Sequence, residues 1–216
     1  MDKHKLANTI DHTLLKPSTK NQITTLCNEA IQYGFASVCI LPDYVKLARS
    51  ILDGTAVKVC TVVGFPLGEN TTATKVFETK NAIKNGAQEI DMVINPSYAR
   101  QNQFVKVTKE IASVVKAAKG VTVKVIIEEC LLNSRQIAKA TKATIDGGAQ
   151  FVKTSTGFST HGATLSAVRI MAQTVKGTNV LIKAAGGIRD QQTALDYINA
   201  GASRIGTSNG VAIING

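Results

Sequence analysis

The chain has 216 residues, 44% of them hydrophobic and 19% charged, which is long enough to bury one sizeable core and excludes a disordered or fibrous protein. Its formal charge of +10 raises the question of nucleic acid, yet the lysines fall at helical spacing on exterior faces, as at Lys106, Lys109, Lys116 and Lys119. With no block of like charge and no aromatic–basic interleaving, a solvated face is the reading and no nucleic-acid partner is expected.

The N-terminal MDKHKLANTIDH lacks the apolar centre of a signal peptide, and no apolar run reaches the roughly 18 residues of a membrane span. A cytoplasmic protein without membrane association is the expectation. ANTIDHTLL reads as a first strand, followed by a helix over TKNQITTLCNEAIQYG with Ser18 and Thr19 as cap candidates. Gly34 then opens the apolar run of YGFASVCI, and VKVCTVVGF (57–65) forms the next strand. The same junction, a glycine that ends a helix and leads into an apolar run, recurs at Gly86 (NGAQEIDMV), Gly148 (GGAQFVKT) and Gly201 (AGASRIGT). Between these lie one long helix over PSYARQNQFVKVTKEIASVVKAAKG and strands at VTVKVIIEE (121–129) and NVLIKAAGG (179–187). The pattern predicts eight strands at a pitch of about 27 residues, all continuously apolar and alternating with helices. It predicts a single (β/α)8 barrel domain over residues 1–216, and the absence of GxGxxG weighs against a dinucleotide fold.

In such a barrel the functional groups sit at the C-terminal ends of the strands. Asp91, Glu128, Lys153 and Lys183 all fall there, the two lysines on neighbouring strands. A lone strand-end lysine more often snorkels to solvent or pairs with a carboxylate. Two of them beside glycine-rich loops (STGF, AAGGI and RIGTSNG, after strands 6, 7 and 8) favour a phosphate cradle with an activated amine. Ser208 and Asn209 add donors there. Two ammonium groups about 5 Å apart at an effective dielectric of about 20 repel by roughly 3 kcal/mol, enough to move a lysine from about 10.4 toward 8. A neutral lysine can attack a carbonyl and form an imine, and Asp91 is placed to handle the protons. Four scattered cysteines (Cys27, Cys39, Cys60, Cys130) and three scattered histidines (His4, His12, His161) predict neither a metal site nor a disulfide framework, and no cofactor is expected.

These segments together resemble the deoxyribose-phosphate aldolase family over nearly the whole chain: IDHTLLKP (10–17), SVCILPDYV (37–45), VVGFPLG (62–68), EIDMVIN (89–95), KVIIEE (124–129), FVKTSTGF (151–158), IKAAGGIR (182–189) and RIGTS (204–208). The resemblance implies reversible formation of 2-deoxy-D-ribose 5-phosphate from acetaldehyde and D-glyceraldehyde 3-phosphate, without metal or cofactor. It implies that Lys153 is the Schiff-base nucleophile, Lys183 the second lysine that perturbs it, and Asp91 the proton donor and acceptor working with a water. It assigns the phosphate to Gly157, Gly186, Gly187, Gly206 and Ser208, and the pocket lining to Asp11, Thr13, Cys39 and Thr156, with Lys124 inside the barrel beside an acidic partner. The sequence does not set the oligomeric state; related barrels commonly pair, which makes a homodimer the assembly to test. The chain departs from the family pattern at His161, where glycine is common, and at Asn209, where a second serine is frequent. It stops at AIING where many members continue to a terminal tyrosine, so tail-assisted protonation is not expected. Two other readings compete: a sugar-phosphate isomerase or epimerase with Asp91 as base and no covalent step, and a nucleic-acid-binding protein resting on charge alone.

Overall fold

Gly34, Gly86, Gly148 and Gly201 all take positive φ, between 68° and 116°, a region closed to most residues with a Cβ. Each turns the chain from a helix end straight into a strand. The computed structural model describes residues 1–216, and the strands that these junctions and their neighbours produce are β1 Ile10–Leu14, β2 Ser37–Ile40, β3 Lys58–Val63, β4 Glu89–Val93, β5 Thr122–Ile126, β6 Phe151–Lys153, β7 Leu181–Ala185 and β8 Arg204–Thr207. Every neighbouring pair is parallel, and β1 pairs with β2 on one side and β8 on the other, so the sheet closes in chain order. This is the expected (β/α)8 barrel.

The helices are α1 Lys3–Ala7, α2 Lys20–Tyr33, α3 Val45–Ile51, α4 Thr72–Lys84, α5 Pro96–Arg100, α6 Phe104–Ala118, α7 Ser134–Asp146, α8 Leu165–Val175, α9 Gln191–Asn199 and α10 Gly210–Asn215. Thr19 is the residue that caps α2: its hydroxyl accepts from the Gln22 amide while the Gln22 side chain accepts from the Thr19 amide. Ser18 instead donates to the Lys16 carbonyl. The segment expected as one long helix is broken into α5 and α6. Asn102 takes φ 59°, a conformation asparagine tolerates better than most residues, and the Gln103 amide folds back onto the Tyr98 carbonyl. No helix is long and apolar enough to cross a membrane.

Strand geometry sorts the side chains by parity. Val38, Ile90, Val123, Val152, Ile182 and Ile205 belong to the main apolar core against which the helices pack. The alternate positions Asp11, Cys39, Cys60, Asp91, Lys124, Lys153 and Lys183 are nearly all polar, and all are buried. The barrel interior is therefore an ionic core rather than an apolar one.

A second buried ion pair lies away from it. Lys75 on α4, fully buried, donates to Glu110 Oε1 on α6 at 2.8 Å and to the Gly68 carbonyl at 2.7 Å. Glu110 Oε2 accepts the Asn95 amide at 2.8 Å, so one carboxylate joins the loops that follow β3 and β4. Gly64 is fitted to this arrangement, since a Cβ there would lie 2.7 Å from Lys75 Cε. A helix-surface lysine carries no sequence mark of such burial, and none was expected here.

Candidate active site

Because β6 and β7 are neighbours in register, Lys153 stands directly beside Lys183. Asp91 on β4 is likewise in register with Lys124 on β5. All four side chains point inward and converge. Lys153 Nζ and Lys183 Nζ each donate to the same atom, Asp91 Oδ2, at 2.8 Å, which bounds the separation of the two nitrogens at twice that distance. Lys124 Nζ donates to the other oxygen, Asp91 Oδ1, at 2.9 Å. The two lysines singled out from the sequence thus meet across one carboxylate.

Below them Lys183 also donates to Asp11 Oδ2 at 2.5 Å. Asp11 Oδ1 accepts from Ser37 Oγ at 2.7 Å and from Arg204 Nη1 at 2.6 Å. Lys124 reaches Glu89 Oε2 at 2.6 Å, and Arg204 closes the set with Glu89 at 3.4 Å. Burial alone would raise the Asp91 carboxyl, but the ammonium groups of Lys124, Lys153 and Lys183 outweigh it and hold it well below the usual carboxylate range. Asp11 is lowered in the same way, its burial outweighed by Lys124, Lys183 and Arg204. Burial opposes the charge on Lys183 and on Lys124, yet the surrounding carboxylates, Asp11 and Asp91 foremost, push both upward. Lys183 is therefore a permanent cation at neutral pH.

Above this ionic core lies a cavity of about 300 Å³ at the strand C-terminal ends. Of the expected site residues, Lys153, Thr13, Thr156, Gly157, Gly186, Gly187, Gly206 and Ser208 line it. Lys153 is the one member of the ionic core that does so; Asp91, to which it donates, and Lys183, which donates to the same carboxylate, do not line the cavity. Asp11 and Cys39, expected in the lining, are fully buried and do not reach the cavity, although their strand partners Gly206 and Thr13 do; Asp11 is held instead by Ser37, Lys183 and Arg204. The expectation that Glu128 ends a strand is also overturned. Strand β5 stops at Ile126 and Glu128 sits in the following loop at φ 49°.

From that loop Glu128 accepts hydrogen bonds from the Thr156 amide and hydroxyl, while Glu129 accepts from the Thr164 amide at 2.6 Å and its hydroxyl at 3.0 Å. Two carboxylates thereby clamp the loop after β6 that carries Gly157. The same loop returns through Gly162, where a Cβ would lie 2.1 Å from the Gly186 carbonyl oxygen. Gly186 itself has φ 93°. The glycines after β6 and β7 are required in part because two backbones touch, a contact the sequence reading did not foresee. Lys16, Phe158, Ile188 and Arg189 also line the cavity without having been singled out.

Cys39, Cys60 and Asp91 bring one ligand atom each to within 4.8 Å of one another. The site does not suit a metal ion. Lys124 Nζ lies 3.2 Å from Cys60 Sγ and 2.9 Å from Asp91 Oδ1, so an incoming cation would meet an ammonium in contact with two of its three ligands.

The depressed Asp11 and Asp91 set an acid limit on the fold. A carboxyl whose folded-state value is lowered contributes stability above its unfolded value, near 3.9, and that contribution is lost as pH falls from there toward the folded value. The urea midpoint should therefore hold steady from about pH 7 to about pH 5 and drop steeply below about pH 4, with a shallower drop in Asp11→Asn. A wild-type midpoint unchanged down to pH 2 would contradict the ion pairing described here.

A family model for DeoC/LacD family aldolases matches residues 5–215. The chain is 55% identical over 215 residues to a deoxyribose-phosphate aldolase of Geobacillus sp. (strain WCH70), covering 99% of this chain and 96% of the relative. It is 55% identical over 213 residues to one from Streptococcus mutans, covering 98% and 96%. Among solved structures, a deoxyribose phosphate aldolase of Aeropyrum pernix described as a unique tetramer superposes with a TM-score of 0.92 at 34% identity, covering 99% of this chain and 91% of that one.

Proposed function

Since the chain belongs to the DeoC/LacD family of aldolases, carbon–carbon lyases, we propose that it reversibly cleaves 2-deoxy-D-ribose 5-phosphate to acetaldehyde and D-glyceraldehyde 3-phosphate through an imine on Lys153. The observation that carries this reading is the position of Lys153 between two environments. Its amine lines the cavity, and it also donates to the carboxylate that Lys183 and Lys124 hold ionised.

In the cleavage direction the Lys153 amine adds to the C1 aldehyde of the sugar, and loss of water leaves an iminium that withdraws electrons from C2. Asp91, through one bridging water, takes the proton of the 3-hydroxyl. The C2–C3 bond breaks, its electron pair moves to C2, and glyceraldehyde 3-phosphate departs. The enamine left on Lys153 takes a proton back at C2, and hydrolysis of the imine releases acetaldehyde and restores the amine. Lys183 keeps a positive charge beside each of these steps and supports the ionised Asp91. No step calls on a metal or a cofactor.

The phosphate would lie against Gly157, Gly186, Gly187, Gly206 and Ser208, where backbone amides approach without Cβ obstruction. An assay of 2-deoxyribose 5-phosphate cleavage coupled to triose-phosphate detection tests the reaction directly. In the same assay Ser208→Asp, which sets a carboxylate against the phosphate, should raise KM by about tenfold or more. Slow cleavage of unphosphorylated 2-deoxyribose should change little. Equal loss on both substrates would move the phosphate elsewhere.

A further inference from the structure

Seven charged side chains face the barrel interior from six strands: Asp11 (β1), Glu89 and Asp91 (β4), Lys124 (β5), Lys153 (β6), Lys183 (β7) and Arg204 (β8). The remaining strands contribute neutral groups, Ser37 and Cys39 from β2 and Cys60 from β3. Ser37 donates to Asp11, and both thiols are placed as donors to Asp91. At the mouth the set ends in Lys153. At the opposite end, on the first residues of β4 and β8, it ends in Glu89 and Arg204.

With every group ionised, three carboxylates face three ammonium groups and one guanidinium, a surplus of one positive charge. A buried set in a medium of low dielectric is most stable near neutrality. A guanidinium does not give up its proton, and both thiols are buried away from the cavity with their protons directed at Asp91, so a proton that leaves toward the cavity comes from a lysine. Geometry decides which one. Lys124 contacts three carboxylates (Asp11, Glu89 and Asp91), Lys183 contacts two (Asp11 and Asp91), and Lys153 contacts Asp91 alone. Lys153 is the least compensated and the one that reaches the cavity.

We propose that Arg204, at the end of the barrel away from the cavity, is a positioning residue that sets the proton count of the interior so that the proton released is that of Lys153. Its influence passes through alternating charges in contact: Arg204 to Asp11, Asp11 to Lys183, Lys183 to Asp91, and Asp91 to Lys153. Arg204 also occupies Asp11 Oδ1 and so leaves Oδ2 to Lys183. Phe151, whose ring lies 5.4 Å from the Arg204 guanidinium, covers its other side. The inference rests on the imine reading and adds to it a charge source that no substrate touches.

The test is the pH profile of kcat/KM for 2-deoxyribose 5-phosphate, together with the pH dependence of borohydride trapping with acetaldehyde. Arg204→Leu removes the surplus charge, so its acid limb should move up by at least about one pH unit, with a rate about tenfold lower at pH 7 that is regained toward pH 9. Arg204→Lys keeps the charge and should keep the wild-type profile. Glu89→Gln adds one to the surplus and should move the limb the opposite way, toward lower pH. A purely structural role predicts equal loss at every pH in Arg204→Leu and no opposed shift in Glu89→Gln; either result overturns the proposal. If Arg204→Leu fails to fold, Glu89→Gln decides alone, and an unmoved or alkaline-shifted limb counts against. A wild-type protein that forms no trapped adduct removes the imine reading and this inference with it. A wild-type adduct with unshifted variants removes this inference only.

Discussion

Incubation with acetaldehyde and borohydride is expected to add a reduced two-carbon group to Lys153 and to no other lysine, and Lys153→Ala is expected to lose both the adduct and the activity. The selectivity follows from access and company. Of the lysines inside the barrel, Lys124 and Lys183 are fully buried and committed to two or more carboxylates, while Lys153 lines the cavity and shares a single one. Lys16 also lines the cavity but is exposed and pairs with no carboxylate, and the other surface lysines face no cavity that would hold the aldehyde. Removing the nucleophile of a covalent mechanism leaves only binding and charge stabilisation, so kcat/KM should fall by about four orders of magnitude or more. Peptide mapping of the reduced adduct reads the site. A label that persists in Lys153→Ala would move the imine to another lysine, and a wild type that neither forms a trappable adduct nor cleaves the sugar would return the barrel to the isomerase reading, in which Asp91 acts as base and no bond to protein forms.

Much of this geometry was accessible from residue pattern alone, for a physical reason. A parallel barrel repeats one unit, and a glycine at the end of a helix followed by an apolar run is a local signal that survives any tertiary context; Gly34, Gly86, Gly148 and Gly201 all take the predicted role. Lys153 and Lys183 were visible because an ammonium inside an apolar strand is costly and so stands out. Glu89 and Arg204 were not, because each is the first residue of its strand and a charge at a strand start is ordinarily solvated. The signal that would have found them is parity. Glu89 lies two residues before Asp91, and Arg204 two before Gly206, so each shares an inward face with a residue already placed at the site. Asp11 and Cys39 lie on the inward face as the pattern indicates but are taken up by buried partners, Ser37, Lys183 and Arg204 for Asp11 and Asp91 for Cys39, which a single strand's pattern does not name. Those partners come from other strands and meet only when the sheet closes in chain order. The Lys75–Glu110 pair and the Gly162–Gly186 contact are likewise long-range, and no local pattern announces either.

Lys183→Leu should fold and form the cavity yet lower kcat/KM by about two orders of magnitude at pH 7. Leucine keeps most of the buried volume while removing the ammonium that neighbours Lys153 across Asp91 Oδ2. Burial opposes a charge at position 183, but Asp11 and Asp91 together more than offset it, so the wild-type group is a cation throughout the working range. At about 5 Å and an effective dielectric of about 20, two ammonium groups repel by roughly 3 kcal/mol, so the charge at position 183 opposes one on its neighbour across Asp91. Without it, Asp91 retains Lys124 on one oxygen and Lys153 on the other, and the attraction between Asp91 and a protonated Lys153 goes unopposed. The loss should therefore depend on pH, shrinking as pH rises and the amine is freed by solution conditions instead of by its neighbour. A purely structural defect would lower the rate equally at all pH values and would show in the thermal midpoint. Steady-state rates from about pH 6 to about pH 10, measured beside thermal unfolding, separate the two. A variant with near-normal turnover at pH 7 would mean that the charge of Lys183 does not activate the amine, and the role of the paired lysines in the barrel would have to be abandoned.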